Sequence, residues 1–250
     1  MIPSSGSMSR SLSSVAKPAT RDVVLHRAIL RDCGHVLDER SLVLDFGCGH
    51  GELVAAYRHE GIPAFGADVL IEKPGPWLRA IDPRNYRLPF PDAMFDVVVS
   101  NYVVEHVENL SIAATEIARV LKPGGASLHF FPPPARLIEP HVFVPLAGVV
   151  RAPWWLRLWA LCGVRNSFQR QLSWREVAHN NAEYLATKTF YRSKRSFRQI
   201  FSQSFATIRF ADESAIRHSY GHARFLAPVA QVVGGMYGAF HQRCLFLEKP

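Results

Sequence analysis

Residues Leu42–Val54 read LVLDFGCGHGELV. Leu42 to Phe46 is a short apolar run interrupted by one acid, Asp45. Gly47, Gly49 and Gly51 then fall at alternate positions, and from Gly51 to His59 the residues Leu53, Val54, Ala56 and Tyr57 recur at helical spacing. A buried strand that turns through small residues into a helix lets a ligand approach the backbone closely, and the helix start presents free N–H groups. The spacing is GxGxG rather than GxGxxG, which suits a nucleoside without a pyrophosphate better than a dinucleotide. Without a ligand the same residues make a tight strand-to-helix turn.

Moving outward, Ala64-Phe65-Gly66-Ala67-Asp68 predicts a second strand that ends in an acid, about 20 residues on, where an open α/β sheet places a carboxylate on a ribose. Phe95 to Ser100 predicts a third, with a Val run that implies burial on both faces. A helix is expected over residues 111–121, then a type II turn at Lys122-Pro123-Gly124-Gly125 and a strand from Ser127 to Phe131. Upstream, residues 22–36 carry a helical pattern. Downstream, a helix is expected over 193–202, strands over 205–210 and 244–248, and a helical apolar stretch over 225–240. The alternation predicts an α/β domain with a parallel sheet covered on both faces. Residues 1–21, Ser-rich and without a signal-peptide apolar run, are read as a disordered tail, and 22–250 as one domain.

Four blocks carry a resemblance: Leu42–Val54, Gly66-Ala67-Asp68, Leu88–Val107 (LPFPDAMFDVVVSNYVVEHV) and Glu116–Phe131 (EIARVLKPGGASLHFF). In this order and spacing they resemble class I S-adenosylmethionine-dependent methyltransferases, the group typified by small-molecule and quinone methyltransferases, over roughly residues 40–134. The resemblance implies a Rossmann-like seven-stranded sheet with a final antiparallel strand, and S-adenosyl-L-methionine as cofactor. It implies that Asp45, Gly47 and Gly49, with Cys48 between them, surround the methionine and ribose parts of the cofactor. Asp68 would take the ribose hydroxyls, and Ser100 and Asn101 would lie beside the sulfonium. The sequence departs from the family pattern between Asp68 and Leu88, which is too short for a full helix and strand. The adenine-contacting acid common before LPF is missing, which leaves Asn85 as the candidate there. Some relatives hold a divalent ion with Glu-x-x-Glu-His; here Tyr102 replaces the first glutamate before Glu105-His106, so no metal is expected.

Methyl transfer is an in-line displacement in which alignment dominates, and a base is needed only when the acceptor loses a proton. His106 and His141 lie just past strand ends and are the candidate catalytic groups. Each has a structural alternative, and His129, alternating within a strand, is read as structural. The chain lacks the Asn/Asp-Pro-Pro-aromatic run of adenine amino-methylating enzymes and the Pro-Cys of cytosine C5 methylation.

Composition narrows the partners. Over 250 residues, hydrophobic residues make up 48% and charged residues 20%, which excludes fibrous and wholly disordered classes. Four scattered cysteines form no metal-spaced cluster and are read as reduced thiols of a cytoplasmic protein. The net charge is +8. Residues 151–198 alone hold ten Lys/Arg against Glu176 and Glu183, and four of the five tryptophans. Residues 135–186 are therefore read as a Trp/Arg-rich lid insertion after the fifth strand. The segment Pro153–Val164 is too short to span a bilayer and fits either a lid or a peripheral contact with an anionic membrane. The expected function is methylation of a small or lipid-like acceptor, at oxygen, by an enzyme in the cytoplasm or at the inner membrane face. Two alternatives stand beside it: an RNA methyltransferase whose basic aromatics stack single strands, and a non-catalytic membrane-associated protein on a decayed methyltransferase fold.

Overall fold

A computed structural model describes residues 8–219 and 221–250. Seven strands form one sheet: β1 (Val43–Phe46), β2 (Ala64–Asp68), β3 (Leu78–Ala80), β4 (Phe95–Asn101), β5 (Leu121–Phe131), β6 (Thr207–Phe210) and β7 (Arg243–Glu248). Their order is β3-β2-β1-β4-β5-β7-β6, and β7 alone runs antiparallel to its neighbours. The helices are α1 (Met8–Asp32), α2 (Glu52–His59), α3 (Leu110–Val120), α4 (Pro153–Leu161), α5 (Trp174–Thr187), α6 (Lys194–Phe201), α7 (Asp212–Arg217) and α8 (Ala230–Phe240).

Alternation along the strands divides the core in two, because successive side chains leave a strand on opposite faces. Leu44, Phe46, Val98, Leu245 and Leu247 meet Ile117 of α3 and Phe197 and Phe201 of α6. Val43, Val97, Val99, Leu128 and Phe246 meet Val23 and Ile29 of α1, Val54 and Tyr57 of α2, and Ala215 of α7. The sheet is thus buried on both faces, as the unbroken Val run requires.

Several details differ from the sequence reading. Of the tail expected over 1–21, residues 1–7 lie outside the described residues and 8–21 belong to α1. Between β2 and β3 there is no helix, as the short spacing and Lys73-Pro74-Gly75-Pro76 implied; the difference is the three-residue β3 that follows Trp77. β5 begins six residues earlier than expected, at Leu121, and the Pro-Gly turn is a bulge within it: Phe95 pairs with Leu121 but Val97 with Ala126. Gly124 keeps the positive φ of +70° that the turn signature demanded. The 225–240 stretch is a 3-10 helix, Gly221–Val229, followed by α8.

The insertion after β5 builds a core of its own. Val142, Val144 and Ala147 pack with Leu156 of α4 and Leu185 of α5, with Trp155 and Trp159 against them. Trp155 donates its indole N–H to the Pro145 carbonyl at 2.7 Å. Among the described residues no helix is long and apolar enough to cross a membrane.

Candidate functional site

The parallel strands deliver their C-terminal ends to one edge, and the sequence-predicted residues divide there into two groups. The first surrounds the glycine turn. The Gly47 and Cys48 N–H groups donate to the Ala67 carbonyl, which pins the turn to the end of β2. Asp68 accepts from the Gly49 N–H at 2.8 Å through one oxygen and from the Leu70 N–H at 2.8 Å through the other. Its carboxylate therefore holds the loop after β1 to the loop after β2. Gly47 has φ +80°, and a Cβ there would land on the Val103 side chain, so this position admits no other residue without displacement.

Asp45 leaves β1 on the α1–α2 face, the side of Val43, and is buried. Burial, reinforced by the charges of Asp68, Asp22 and Glu52, pushes its pKa up to about 8. Asp22, from α1, is pushed up to about 6 by burial. Nearby His26 is hydrogen-bonded to Tyr57 at 2.6 Å and stacked on Phe130. Burial lowers the His26 pKa to about 4, so it brings no positive charge at neutral pH. The Asn101 side chain is turned toward His26 and hydrogen-bonds its ring. Asp22 and Asp68 gather with Asp45 beside the glycine cradle, an arrangement that suits a ligand with an ammonium and a sulfonium group. Asp22, His26 and Tyr57 were missed in the sequence; Asp22 and His26 sit four apart on one helix face, the only signal available.

Two predicted cofactor residues are placed elsewhere. Ser100 leaves β4 on the face opposite Asp45 and contacts His129 Nδ1 at 2.7 Å. His129 Nε2 contacts Ser127 Oγ at 2.7 Å, while Ser127 donates to the Val98 carbonyl. Ser127 has one proton and spends it on that carbonyl, so His129 Nε2–H donates to Ser127 and Nδ1 accepts from Ser100. Burial takes the His129 pKa down to about 3, in keeping with a neutral structural ring. Asn85 is exposed, and its side chain accepts from the Arg87 N–H. Asp82, just past β3, lies closer to the strand end but is engaged by Arg84 at 2.8 and 3.0 Å.

The second group lies past β4 and β5, where the structure brings His106 and His141 together. Their Nε2 atoms are 3.1 Å apart and the rings meet edge to face. His106 Nδ1 lies 2.6 Å from the Lys188 carbonyl at the end of α5; a carbonyl only accepts, so Nδ1 carries the proton. His141 Nδ1 lies 2.6 Å from Glu139. Burial opposes the charge on Glu139, but hydrogen bonds from His141, Tyr191 and the Val142 N–H hold its carboxyl below the usual range. His141 Nδ1 is thus the donor. Burial lowers the His106 pKa. The Lys188 carbonyl, not the neighbouring Glu105, orients the His106 ring. Glu105 is buried, and neither of its oxygens has a hydrogen-bond partner on another residue. Burial raises its pKa to about 8. Tyr102 stands at the mouth with φ +58°, an uncommon backbone state for a bulky residue.

The chain matches a family described as a methyltransferase domain over residues 21–204. It is 35% identical over 117 residues to a malonyl-[acyl-carrier protein] O-methyltransferase of Erwinia billingiae, covering 41% of this chain and 46% of that protein. It is 30% identical over 138 residues to an uncharacterized methyltransferase of Mycobacterium tuberculosis, covering 50% of this chain and 61% of the relative. The chain spans about half the length, or less, of the first of these curated relatives. In three dimensions it is similar to a SAM-dependent methyltransferase from Archaeoglobus fulgidus, with a TM-score of 0.50, 15% identity and coverage of 92% of this chain and 94% of that one.

Proposed function

The chain belongs to the methyltransferase-domain family, and on that premise we propose that it is an S-adenosylmethionine-dependent enzyme that methylates an oxygen of a small or lipid-like acceptor at the His106–His141 pair. When bound, S-adenosylmethionine supplies an electrophilic methyl group on a sulfonium. Gly47 and Gly49 would leave room for it, Asp45 and Asp22 would face its positive groups, and Asp68 would be the group nearest the ribose. Exposed Val69 and Leu70, beside Asp68, offer an apolar surface for the adenine ring.

The observation that carries the acceptor reading is the paired imidazoles. With both Nδ1 protons engaged, each neutral ring presents a bare Nε2, and the two converge past the strand ends. A hydroxyl acceptor must lose its proton as the oxygen–carbon bond forms and the sulfur–carbon bond breaks. One Nε2 receives that proton and the other shares it across 3.1 Å. Glu139 holds His141 in the tautomer that this requires and balances the charge that develops. The insertion covers this corner: His141 belongs to it, and α5 supplies the carbonyl on His106.

A lipid-like acceptor is supported by the exposed side of α4, where Trp154, Leu158 and Leu161 lie at i, i+4 and i+7 with Arg157 among them. Trp155 and Trp159 are turned into the insertion's own core. That leaves few flat rings to stack on single-stranded RNA and weighs against the nucleic-acid reading.

The test is a screen of hydroxyl, carboxyl and amine acceptors, lipophilic ones included, read by S-adenosylhomocysteine release. A hydroxyl acceptor is expected, with His141→Ala lowering kcat at least about 100-fold and cofactor binding unchanged. Turnover only on amines, or a His141→Ala variant as fast as wild type, would overturn the reading.

A further inference from the structure

We propose that His106 Nε2, His141 Nε2 and the Glu105 carboxylate form a binding site for a divalent transition-metal ion. The proposal starts from a gap in the hydrogen bonding. Both Nδ1 atoms donate, one to the Lys188 carbonyl and one to Glu139, so two lone pairs face each other at 3.1 Å. Something positive belongs between them. A shared proton would satisfy the imidazoles but leave Glu105 as it is: 2% exposed, with no partner on another residue for either oxygen, and 3.9 Å from His106 Nε2. A divalent ion satisfies all three donors and neutralises the buried carboxylate.

The geometry fits. The three donor atoms lie within 4.8 Å of one another. At zinc–nitrogen bonds of about 2.0–2.1 Å, two nitrogens on one ion are about 2.9 Å apart at a right angle and about 3.4 Å at the tetrahedral angle. The observed 3.1 Å falls between these limits. Glu105 lies 3.9 Å from His106 Nε2 and within 4.8 Å of His141 Nε2, so its carboxylate has to move toward the pair to reach bonding distance. Two imidazoles and a carboxylate select zinc or its first-row neighbours over magnesium, and three protein donors leave a further position for water or an acceptor oxygen.

The surroundings match those of a ligand set. Ligating histidines ordinarily donate their second N–H to a carboxylate or a backbone carbonyl, which fixes the tautomer. His141 does so to Glu139, itself held by Tyr191 at 2.6 Å and by the backbone N–H groups of His141 and Val142. His106 does so to Lys188. The sequence reading set metal aside because Tyr102 replaces a glutamate; the third donor comes instead from His141, 35 residues beyond His106 and on the insertion.

This inference concerns the same histidine pair as the acceptor assignment above but goes beyond it and stands apart from it, since ion and proton compete for the same two lone pairs. The full chain, stripped with a chelator, is titrated with zinc against a weak competing chelator, and bound metal is measured by elemental analysis. Cobalt substitution gives a visible spectrum as a second readout. One ion per chain is expected for the wild type. His106→Ala, His141→Ala and Glu105→Gln should each bind at least about tenfold more weakly, with S-adenosylhomocysteine binding retained. A wild type that holds no ion, or holds it no better than the three variants, would overturn the proposal. Zinc uptake without methylation of any hydroxyl keeps the metal site and sinks the acceptor assignment; methylation with no zinc uptake does the reverse.

Discussion

Asp45 is the residue whose chemistry is most exposed to test. Its carboxyl is held at about 8, far above the ordinary value near 3.8 of the unfolded chain. Between those values the folded state keeps a proton that the unfolded state releases. Stability of the cofactor-free protein therefore falls as pH rises from about 4 to about 8, by up to about 1.4 kcal/mol per pH unit from this group. Thermal unfolding in that range should show the decline for wild type and a flatter profile for Asp45→Asn. A cationic cofactor favours the ionised form, so S-adenosylmethionine should bind more tightly toward pH 8. Identical profiles for the two proteins would remove Asp45 from the account. Asp68 plays a different part. Its two oxygens tie Gly49 to Leu70, so Asp68→Ala leaves two backbone donors without their acceptor and should cost about 2 kcal/mol in denaturant unfolding. Calorimetry should show S-adenosylhomocysteine affinity falling at least about tenfold. The glycine turn and these two acids were readable in the sequence because backbone geometry restricts the residue types there. Asp22 and His26 were not, because a helix across the mouth carries no such restriction.

At the scale of elements, β4 and β5 are joined by more than their ladder. His129 lies between Ser100 of β4 and Ser127 of its own strand, and Phe201 of α6 stacks on it at 6.0 Å. Ser100→Ala should leave the His129 Nδ1 buried without a donor and lower stability by about 1–2 kcal/mol. S-adenosylhomocysteine binding should stay within about twofold of wild type, because Ser100 leaves the strand on the far face. A larger loss of binding would return Ser100 to the cofactor site. Long, fully buried elements were legible: the Val run of β4 and the apolar face of α3 each carry a period that burial imposes. β3 was not, since two half-buried residues and one exposed residue leave too few positions to form a pattern. Missing it displaced the search for the adenine contact to Asn85, when the strand ends at Ala80, two residues before Asp82. The Pro-Gly signal in β5 was read as punctuation, although a bulge uses the same positive φ without ending the strand.

For the whole molecule the open question is what the insertion meets. Its charge and tryptophans were plain in the sequence, but not which way each ring faces. α4 separates them: Trp155, Leu156, Trp159 and Ala160 turn inward, while Trp154, Arg157, Leu158 and Leu161 form the outer side. Phe168, in the turn that follows, is 92% exposed. Burying rings and aliphatic groups at a lipid interface while arginines stay near phosphates is how interfacial helices bind, and the attraction weakens with salt. Co-sedimentation should therefore show binding to vesicles with an anionic lipid fraction, little binding to neutral vesicles, and release as salt rises. Replacing Trp154, Leu158 and Leu161 together by Ala removes only outward groups. That variant should keep its fold and its S-adenosylhomocysteine affinity while vesicle binding drops at least about tenfold. If vesicle binding is absent, or survives the triple replacement, the outer side of α4 has no part in membrane contact. Activity of the same variant on soluble acceptors then decides its role. Turnover lost on soluble acceptors marks α4 as part of the cover over His141, and turnover lost only on vesicle-borne acceptors marks it as the route by which a lipid-like acceptor reaches the histidine pair.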